Sequence, residues 1–262
     1  MVFRRSNSNK VQSGSAELCP VKKSVVQVRF PGRGMALSYY NDRFDLKVGD
    51  LVYVDGKLEG QLGRITEINY NFKIKIADYK NVIAVADTEV HGQLYMAGSH
   101  FIAFDPDVIP AEKILTWFQA PPKEDEEFAS GNDESSFLLD ELKDMNISSA
   151  VAERGLSYYV ENHVSYICVN HGHGFAIVEG SKNYIVEFLY TDGRISHLTC
   201  ECPCSYTCKH EFAAMLQLQE SLQIIGESYA QQYASSDYFA AIRKSTVFLF
   251  AIDRKKNGSL IL

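Results

Sequence analysis

The sequence predicts an α+β fold in two parts: a small antiparallel β-barrel-like domain in the N-terminal half, and a domain built from a β-hairpin and a helix in the C-terminal half. Two observations predict it. Residues 24–120 contain short stretches in which apolar and polar residues alternate, separated by glycines, as in half-buried strands. Residues 200–208 hold four of the six cysteines, directly after a hairpin pattern and directly before the apolar stripe of a helix.

The same patterns divide the 262 residues into four segments. Residues 1–23 carry five basic residues and one acid and are predicted to be a flexible basic tail. Residues 24–120 form the barrel-like domain, 121–146 an acidic linker that closes with a short helix, and 147–262 the cysteine-containing domain with further strands at its end. No run of about 18 apolar residues occurs, and residues 1–30 lack the apolar core of a signal peptide, so we expect no membrane partner.

The net charge of −7 originates in one segment. Residues 123–144 contain nine acids and two lysines, whereas the rest of the chain has 24 basic and 24 acidic residues. The folded parts are therefore neutral, and the overall charge does not exclude their binding to nucleic acid. We interpret the acidic run as a solvated linker; the alternatives are an acidic mimic of nucleic acid and a strip that docks on a partner.

In the N-terminal half, the pattern predicts strands at 24–30, 51–54, 64–70 and 72–76, and a helix at 112–118. The stretch LKVGDLVYVDGKLEGQLGRITEI, residues 46–68, resembles the strand–turn–strand unit of SH3-like or KOW-like small barrels. This resemblance implies a barrel of the same kind here.

In the C-terminal half, the pattern predicts helices at 137–145, at 149–160 and from Lys209 to Leu222, and strands at 164–169, 175–179, 184–190 and 195–200. Asp192-Gly193, between the last two strands, indicates a tight hairpin turn. Residues 238–262 are interpreted as two or three further strands, with a turn at Asn257-Gly258.

The cysteine cluster has the chemistry of a structural zinc site. Cys200 and Cys202 are two residues apart at the end of a predicted strand, so their side chains share one face. Cys208 and His210 lie where a helix begins, and the unsatisfied N–H groups there favour thiolates. Three thiolates and one imidazole complete the tetrahedron that zinc prefers and leave no position for water or a substrate. Thiolate ligands require a reducing compartment, so we expect a cytoplasmic protein, or a nuclear one in a eukaryote.

The cluster also carries a family motif. The motif C-x-C-P is CECP in this chain, and the short loop CSYT follows it. Next comes C-K-H at the start of an apolar helix, in the stretch CKHEFAAML. This order resembles the SWIM-type zinc finger. The upstream stretches AERGLSYYVENHV and GFAIVEGSKNYIVEFLYTDGRISHLTC are similar to the segment that precedes the finger in bacterial SWIM proteins, so the resemblance covers residues 150–222. It implies one structural zinc ion held by Cys200, Cys202, Cys208 and His210. Cys204 departs from the pattern and could replace Cys200 or Cys202.

The resemblance further implies a binding function beside nucleic-acid machines such as SWI/SNF-like ATPases, without the ATPase motor. We therefore predict a non-enzymatic zinc-binding protein that binds nucleic acid, DNA rather than RNA, as an accessory or regulatory component. The alternative is a protein–protein interaction adaptor or inhibitor that docks on a nucleic-acid-processing enzyme or complex. Neither a phosphate-binding glycine loop nor a nucleophile elbow is present, so no enzymatic activity and no small-molecule substrate are expected.

Basic residues in both halves are candidates for nucleic-acid contacts. In the C-terminal domain they are Lys182, Arg194 and Lys209. In the N-terminal domain, Arg33, Arg43, Lys73 and Lys75 lie close in sequence to the aromatics Tyr39, Tyr40, Tyr70 and Phe72. Together these could form a face that stacks bases and binds phosphates, and the alternative is ordinary strand packing of the aromatics.

Three other groups of residues are given structural interpretations. His171 and His173 belong to a glycine-rich turn rather than a second metal site. Asp105 and Asp107 flank Pro106 in a turn. Cys168 is interpreted as a small buried residue in a strand.

Overall fold

The computed structural model describes residues 21–121 and 135–252. Most of the predicted basic tail, residues 122–134 of the acidic linker and the Asn257-Gly258 turn lie outside the described residues. The described chain is a mixed α and β protein with antiparallel sheets, which confirms the predicted fold class. None of its helices is both long enough and apolar enough to cross a bilayer.

The N-terminal sheet has five antiparallel strands in the order β2-β1-β4-β3-β5, namely β1 Ser24–Arg29, β2 Leu37–Asn41, β3 Leu51–Val54, β4 Gly63–Asn69 and β5 Val82–Ala86. Because side chains alternate between the two faces of a strand, Val26 and Val28 of β1 both point into the core of this sheet, where they pack with Ile65 of β4. The two edges approach each other at a single bridge between Tyr40 and Asn81, and the described strands do not form a closed barrel.

The prediction of a strand at residues 72–76 is wrong. Residues 72–75 have no regular structure, and a short 3₁₀ helix, Ile76–Asp78, follows them. No strand of the described chain pairs with this segment. Phe72 instead packs edge-on against Tyr40, with 6.1 Å between the ring centroids, so its ring is half-buried without a ladder of hydrogen bonds.

The second sheet has eight antiparallel strands in the order β6-β7-β13-β9-β10-β11-β12-β8, namely β6 Tyr95–Ala97, β7 His100–Ala103, β8 Ser136–Leu138, β9 Val164–Asn170, β10 His173–Glu179, β11 Asn183–Thr191, β12 Arg194–Cys200 and β13 Tyr238–Arg243. The strands predicted at 164–169, 175–179, 184–190 and 195–200 are confirmed as β9 to β12. Because β6 and β7 come from residues 24–120, the N-terminal segment supplies strands to both sheets.

The described helices are α1 Ala111–Phe118, α2 Ser149–Val160, α3 Lys209–Ser228, α4 Ala230–Ser236 and α5 Lys244–Val247. Helix α3 buries its apolar stripe, including Ala214 and Leu218, on one face of the eight-stranded sheet, and α2 packs on α3. The opposite face carries a second core, in which Ile114 and Trp117 of α1 meet Tyr166 of β9. This sheet is thus covered by helices on both faces over part of its width.

Two further predictions are correct only in part. Residues 137–145, predicted as a helix, form β8 and a 3₁₀ helix, Leu139–Asp144, because Leu138 pairs with Arg194 at the edge of β12 and Leu139 N–H donates to Gly193 O. Within the described residues, the strands predicted in 238–262 reduce to β13, followed by α5 and a π-helical turn, Phe248–Ile252. That turn packs Phe250 against Trp117 of α1, with 5.2 Å between ring centroids.

Candidate metal centre

Strand β12 and helix α3 position the cysteine cluster. The turn between β11 and β12 contains Asp192 and Gly193, both with positive φ, as the Asp-Gly pattern predicts. It returns the chain along β12, which ends at Cys200, and α3 begins after Cys208. Cys200 thus ends β12 and Cys202 follows it by two residues, whereas Cys208 caps α3 and His210 lies in its first turn.

A capping box fixes the first turn of α3 relative to Cys208. The Cys208 sulfur accepts the N–H of Glu211, and a Glu211 carboxylate oxygen accepts the N–H of Cys208 at 2.5 Å. Glu211 is buried, which raises the pKa of its carboxyl group, and its hydrogen bonds with Cys208 oppose that shift. Cys208 thus acts as the helix cap as well as a candidate ligand.

Cys200, Cys202, Cys208 and His210 lie close enough together to hold one metal ion. Their ligand atoms are all within 4.8 Å of one another. His210 Nδ1 lies 3.6 Å from Cys208 Sγ and 3.8 Å from Cys200 Sγ. A tetrahedral zinc ion, with bonds of about 2.3 Å to sulfur and about 2.0 Å to nitrogen, would place these atoms about 3.6 Å apart. The spacing therefore fits a structural zinc site.

The fourth cysteine of the cluster is outside this set. Cys204 is exposed, whereas Cys202 and Cys208 are buried and Cys200 is half-buried. The arrangement of the four ligand atoms corresponds to the set that the motif implied, without Cys204.

The electrostatics suit a bound cation. Burial, together with the positive charge of Lys209 and nearby His163, lowers the pKa of His210 to about 4, so its imidazole is neutral and able to coordinate. A hydrogen bond with Cys200, followed by burial, raises the pKa of Cys208, and burial raises the pKa of Cys202 to about 12. Thiolates this close together repel one another, and a divalent cation is what would hold them deprotonated.

Two tyrosines enclose the imidazole of His210. The Tyr184 ring stacks on it with 4.2 Å between centroids and 21° between planes, and Tyr158 approaches it edge-on at 5.5 Å. Lys182 lies over the Tyr184 ring at 5.4 Å, and Lys209 lies over the Tyr158 ring at 4.0 Å. Sequence reasoning missed both tyrosines, because their contact with His210 is made only by the folded sheet and helices.

Gly180 permits the close approach of the hairpin to the imidazole. A Cβ atom at this position would lie 3.0 Å from Tyr184 Cε2 and 3.4 Å from His210 Nε2. That nitrogen is buried and has no hydrogen-bond partner in the described chain, so ring stacking and the bare glycine backbone hold the ring in place.

The basic residues predicted to contact nucleic acid are divided among separate places. Lys182 and Lys209 lie beside the metal centre, and Lys209 also donates to the Tyr158 hydroxyl at 2.5 Å. Arg194 lies at the other end of β12 from Cys200, about 20 Å away at the usual rise per residue of a strand, and its guanidinium donates to Ser136 Oγ at 3.1 Å. Only the two lysines are brought together with the metal centre.

The predicted stacking face of the N-terminal sheet is incomplete. Its basic residues are all exposed, at Arg33, Arg43, Lys73 and Lys75. Tyr39 and Tyr40 are buried, with 6 % and 3 % of their surface exposed, and so are unable to stack on bases. For these two aromatics the alternative, ordinary strand packing, is the observed arrangement.

Of the remaining residues, His171 lies in a turn as predicted, whereas His173 begins β10. His171 and Gly172 both have positive φ in the turn between β9 and β10, and Cys168 is buried in β9. Asp105 accepts the N–H of Asp107 in a turn before α1.

No protein-family model, curated protein or solved structure matches this chain. The resemblance to the SWIM-type zinc finger therefore depends on the motif and its flanks alone.

Proposed function

We propose that this chain is a non-enzymatic protein with a SWIM-type zinc finger that binds nucleic acid, DNA in preference to RNA, as an accessory or regulatory component. The observation that carries the proposal is the set of three sulfurs and one imidazole nitrogen, three of them on buried residues, at the junction of β12 and α3. This donor set and its tetrahedral spacing favour zinc over cations that prefer oxygen ligands.

The zinc ion acts as a structural element. Four protein ligands fill its coordination shell, so no position is left for a substrate or an activated water. Its binding energy stabilises the strand–loop–helix unit, since such sites form only in the folded state. The loop 203–207 that the ion would hold projects outward, and Tyr206 at its tip is 87 % exposed.

The surface beside the metal centre supports the nucleic-acid proposal. An exposed tyrosine offers a face for base stacking, and Lys182 is exposed nearby on the hairpin between β10 and β11. Lys209 is half-buried and anchored to Tyr158, which places its positive charge at a fixed position. The preference for DNA derives from the family resemblance.

A different observation favours an adaptor or inhibitor that docks on a nucleic-acid-processing enzyme. Residues 147–262 contain nine basic and eleven acidic residues, so this part of the chain has no excess of positive charge. Leu156 and Val160, one turn apart on α2, are 48 % and 65 % exposed and offer apolar contact area. In this alternative the protein has no intrinsic affinity for DNA or RNA at physiological salt.

The deciding experiment is a titration of the zinc-loaded full chain against single- and double-stranded DNA and RNA, at low and physiological salt. The proposal predicts micromolar or tighter binding that weakens as salt rises. Lys182→Gln should weaken binding and lower the magnitude of the salt slope by about 1, whereas Lys47→Gln, at an exposed lysine in the loop between β2 and β3, should not. No binding at physiological salt would overturn the proposal in favour of the adaptor. Partners would then be isolated from the native host.

A further inference from the structure

A cleft of about 650 Å³ lies on the face of the eight-stranded sheet opposite α3, beside the first turn of α1. Its floor consists of cross-strand neighbours. Tyr238, Asn170 and His173 follow one another across β13, β9 and β10. Cys168, Phe175, Glu187 and Thr199 do so across β9 to β12. The volume is within the range of sites for small organic ligands, about 300 to 1,000 Å³.

The charge of the cleft is negative. Asp107 and Glu112 contribute carboxylates from the α1 side, and Glu187 contributes a third from the floor. The lining includes no lysine or arginine, and in the described part of the chain none of the three carboxylates forms an ion pair. The lining histidines, His173 and His197, are exposed.

One buried polar group of the cleft has no partner. Tyr238 is 4 % exposed, and its hydroxyl makes no hydrogen bond to the described chain. Buried hydroxyl groups without a partner are rare in folded proteins. The neighbouring Tyr166 hydroxyl donates to Ile109 O at 2.7 Å and is thereby satisfied. Burial raises the pKa of Tyr238 and the charges of Cys168, Glu112 and Asp105 add to this, while an interaction with the nearby Tyr166 hydroxyl opposes it, so the group remains a neutral hydroxyl beside acidic side chains.

The positions of the donors favour an organic ligand over a metal ion. Among the described residues, the Cys/His set of the metal centre is the one group of histidines, cysteines and acids that converges on a point. The carboxylates and imidazoles of the cleft are instead spread around a space of organic size. An anion would meet three uncompensated carboxylates.

We propose that this cleft binds a small organic cation, an aliphatic primary amine whose ammonium group is held by the cleft carboxylates and the Tyr238 hydroxyl and whose carbon chain lies on Phe175. An ammonium group donates hydrogen bonds and accepts none, which matches carboxylates and a hydroxyl oxygen. The half-buried ring of Phe175 supplies apolar contact and an aromatic face for the cation. This inference is independent of the metal centre and of nucleic-acid binding.

The test is a calorimetric titration of the zinc-loaded full chain with two amines and two controls. The amines are 1,4-diaminobutane, which represents a free amine, and Nα-acetyl-lysine amide, which represents a lysine side chain of a peptide. The controls are 1,4-butanediol and succinate. We expect at least one amine to bind with a dissociation constant of millimolar or tighter and the controls not to bind. The tighter of the two amines identifies the source of the ammonium group.

Variants separate the cleft from the acidic linker, which attracts any amine. Glu112→Gln leaves the linker intact and should weaken amine binding roughly tenfold, the usual effect of losing a charged hydrogen-bond partner. Glu153→Gln, an exposed acid on α2, should have no effect. Tyr238→Phe should weaken binding several-fold while leaving the melting temperature unchanged or higher, since its hydroxyl makes no hydrogen bond to the described residues. Absence of amine binding, or equal binding by Glu112→Gln and the unmodified chain, would overturn the proposal.

Discussion

The ring of Tyr184 stacks on the imidazole of His210, with 4.2 Å between the ring centroids and 21° between the ring planes. Tyr184 also packs against Cys202 and Cys208 in the same small cluster. The stacking directs His210 Nδ1 toward Cys200 and Cys208, since the ring has no hydrogen bond at Nε2 within the described chain to orient it. Strand β11 thus positions a candidate ligand that belongs to α3.

The first prediction concerns this stacking. Tyr184→Ala should weaken zinc binding about tenfold, as the loss of groups that orient a metal ligand usually does. Tyr184→Phe keeps the ring and loses only the hydrogen bond between Ser181 Oγ and Tyr184 Oη, which is 2.8 Å long, so its zinc affinity should be close to that of the unmodified chain. Competition against a chromophoric chelator measures both. Equal affinity of the alanine variant and the unmodified chain would show that the ligands alone orient the site.

The second prediction distinguishes the ligands from the fourth cysteine of the cluster. Cys208→Ala and His210→Ala should each lose the metal and unfold the C-terminal part, because metal binding and folding of such sites are coupled. Cys204→Ser should retain about one zinc ion per chain, since Cys204 is exposed and outside the set of four. Elemental analysis measures the zinc content, and circular dichroism measures the unfolding. Loss of zinc from Cys204→Ser together with retention by Cys202→Ser would show that the ligand set is different.

The candidate ligand set could be predicted from the sequence because its two pairs depend on local geometry and because the motif C-x-C-P favours Cys200 and Cys202 over Cys204. Cys200 and Cys202 are two residues apart at the end of a strand, and Cys208 and His210 flank the start of a helix, so their spacing alone indicated two pairs of ligands. The groups that orient the ligands depend on distant contacts. Tyr158 and Tyr184 reach His210 only because α2 and β11 pack beside α3, and the sequence contains no signal for that arrangement.

The fold shows the same division. Strands β9 to β12 form a meander of adjacent hairpins, and the sequence pattern located each of them within two residues. The sequence patterns failed where distant partners decide. Residues 137–145 have helical spacing, but β8 forms there because it pairs with β12. Residues 72–76 alternate, but residues 72–75 are not a strand because no partner strand is present in the described chain. Strands β6 and β7 were missed because they are short, and β7 pairs with β13, far along the chain. The cleft could not be predicted from the sequence either, because five strands and α1 from distant parts of the chain assemble it.

The third prediction uses the contact between α2 and α3. A Cβ atom at Gly155 would lie 2.8 Å from Phe212 Cδ1 and 3.0 Å from Lys209 O, which belongs to the first turn of α3. Gly155→Ala should therefore lower the melting temperature and weaken zinc binding, although alanine favours a helix over glycine by about 1 kcal/mol. The packing cost, typically about 1 to 3 kcal/mol for overfilled sites, exceeds that gain.

Gly226 in α3 provides the matched control. A Cβ atom there meets no other atom within 4 Å, so Gly226→Ala should stabilise the protein by up to about 1 kcal/mol. Thermal unfolding of both variants at saturating zinc measures the difference. The same stabilisation in both variants would mean that α2 and α3 are able to separate without cost.

The fourth prediction is a dependence of stability on pH that originates at His100. This residue is 1 % exposed in β7, and its Nε2 lies 2.9 Å from Val164 O, which is able only to accept, so Nε2 carries the proton. In the neutral ring Nδ1 then accepts from the Ser99 hydroxyl at 2.9 Å. Burial, with Arg243 and Lys244 nearby, lowers the pKa of His100 to about 4 from the ordinary 6.5. The folded protein therefore keeps this ring neutral at pH values where the unfolded chain protonates it.

The free energy of unfolding should fall as the pH decreases from 6.5 to 4, because the unfolded state binds a proton in that range that the folded state excludes. At pH 4, His100 lowers the free energy of unfolding by about 3 kcal/mol, because each unit of pKa shift corresponds to about 1.4 kcal/mol. His100→Gln keeps a donor for Val164 O and should remove that part of the pH dependence, measured by denaturant unfolding at saturating zinc. His91→Gln, at a side chain that is 82 % exposed, should keep the full dependence. A His100→Gln curve parallel to that of the unmodified chain would assign the pH dependence to other groups.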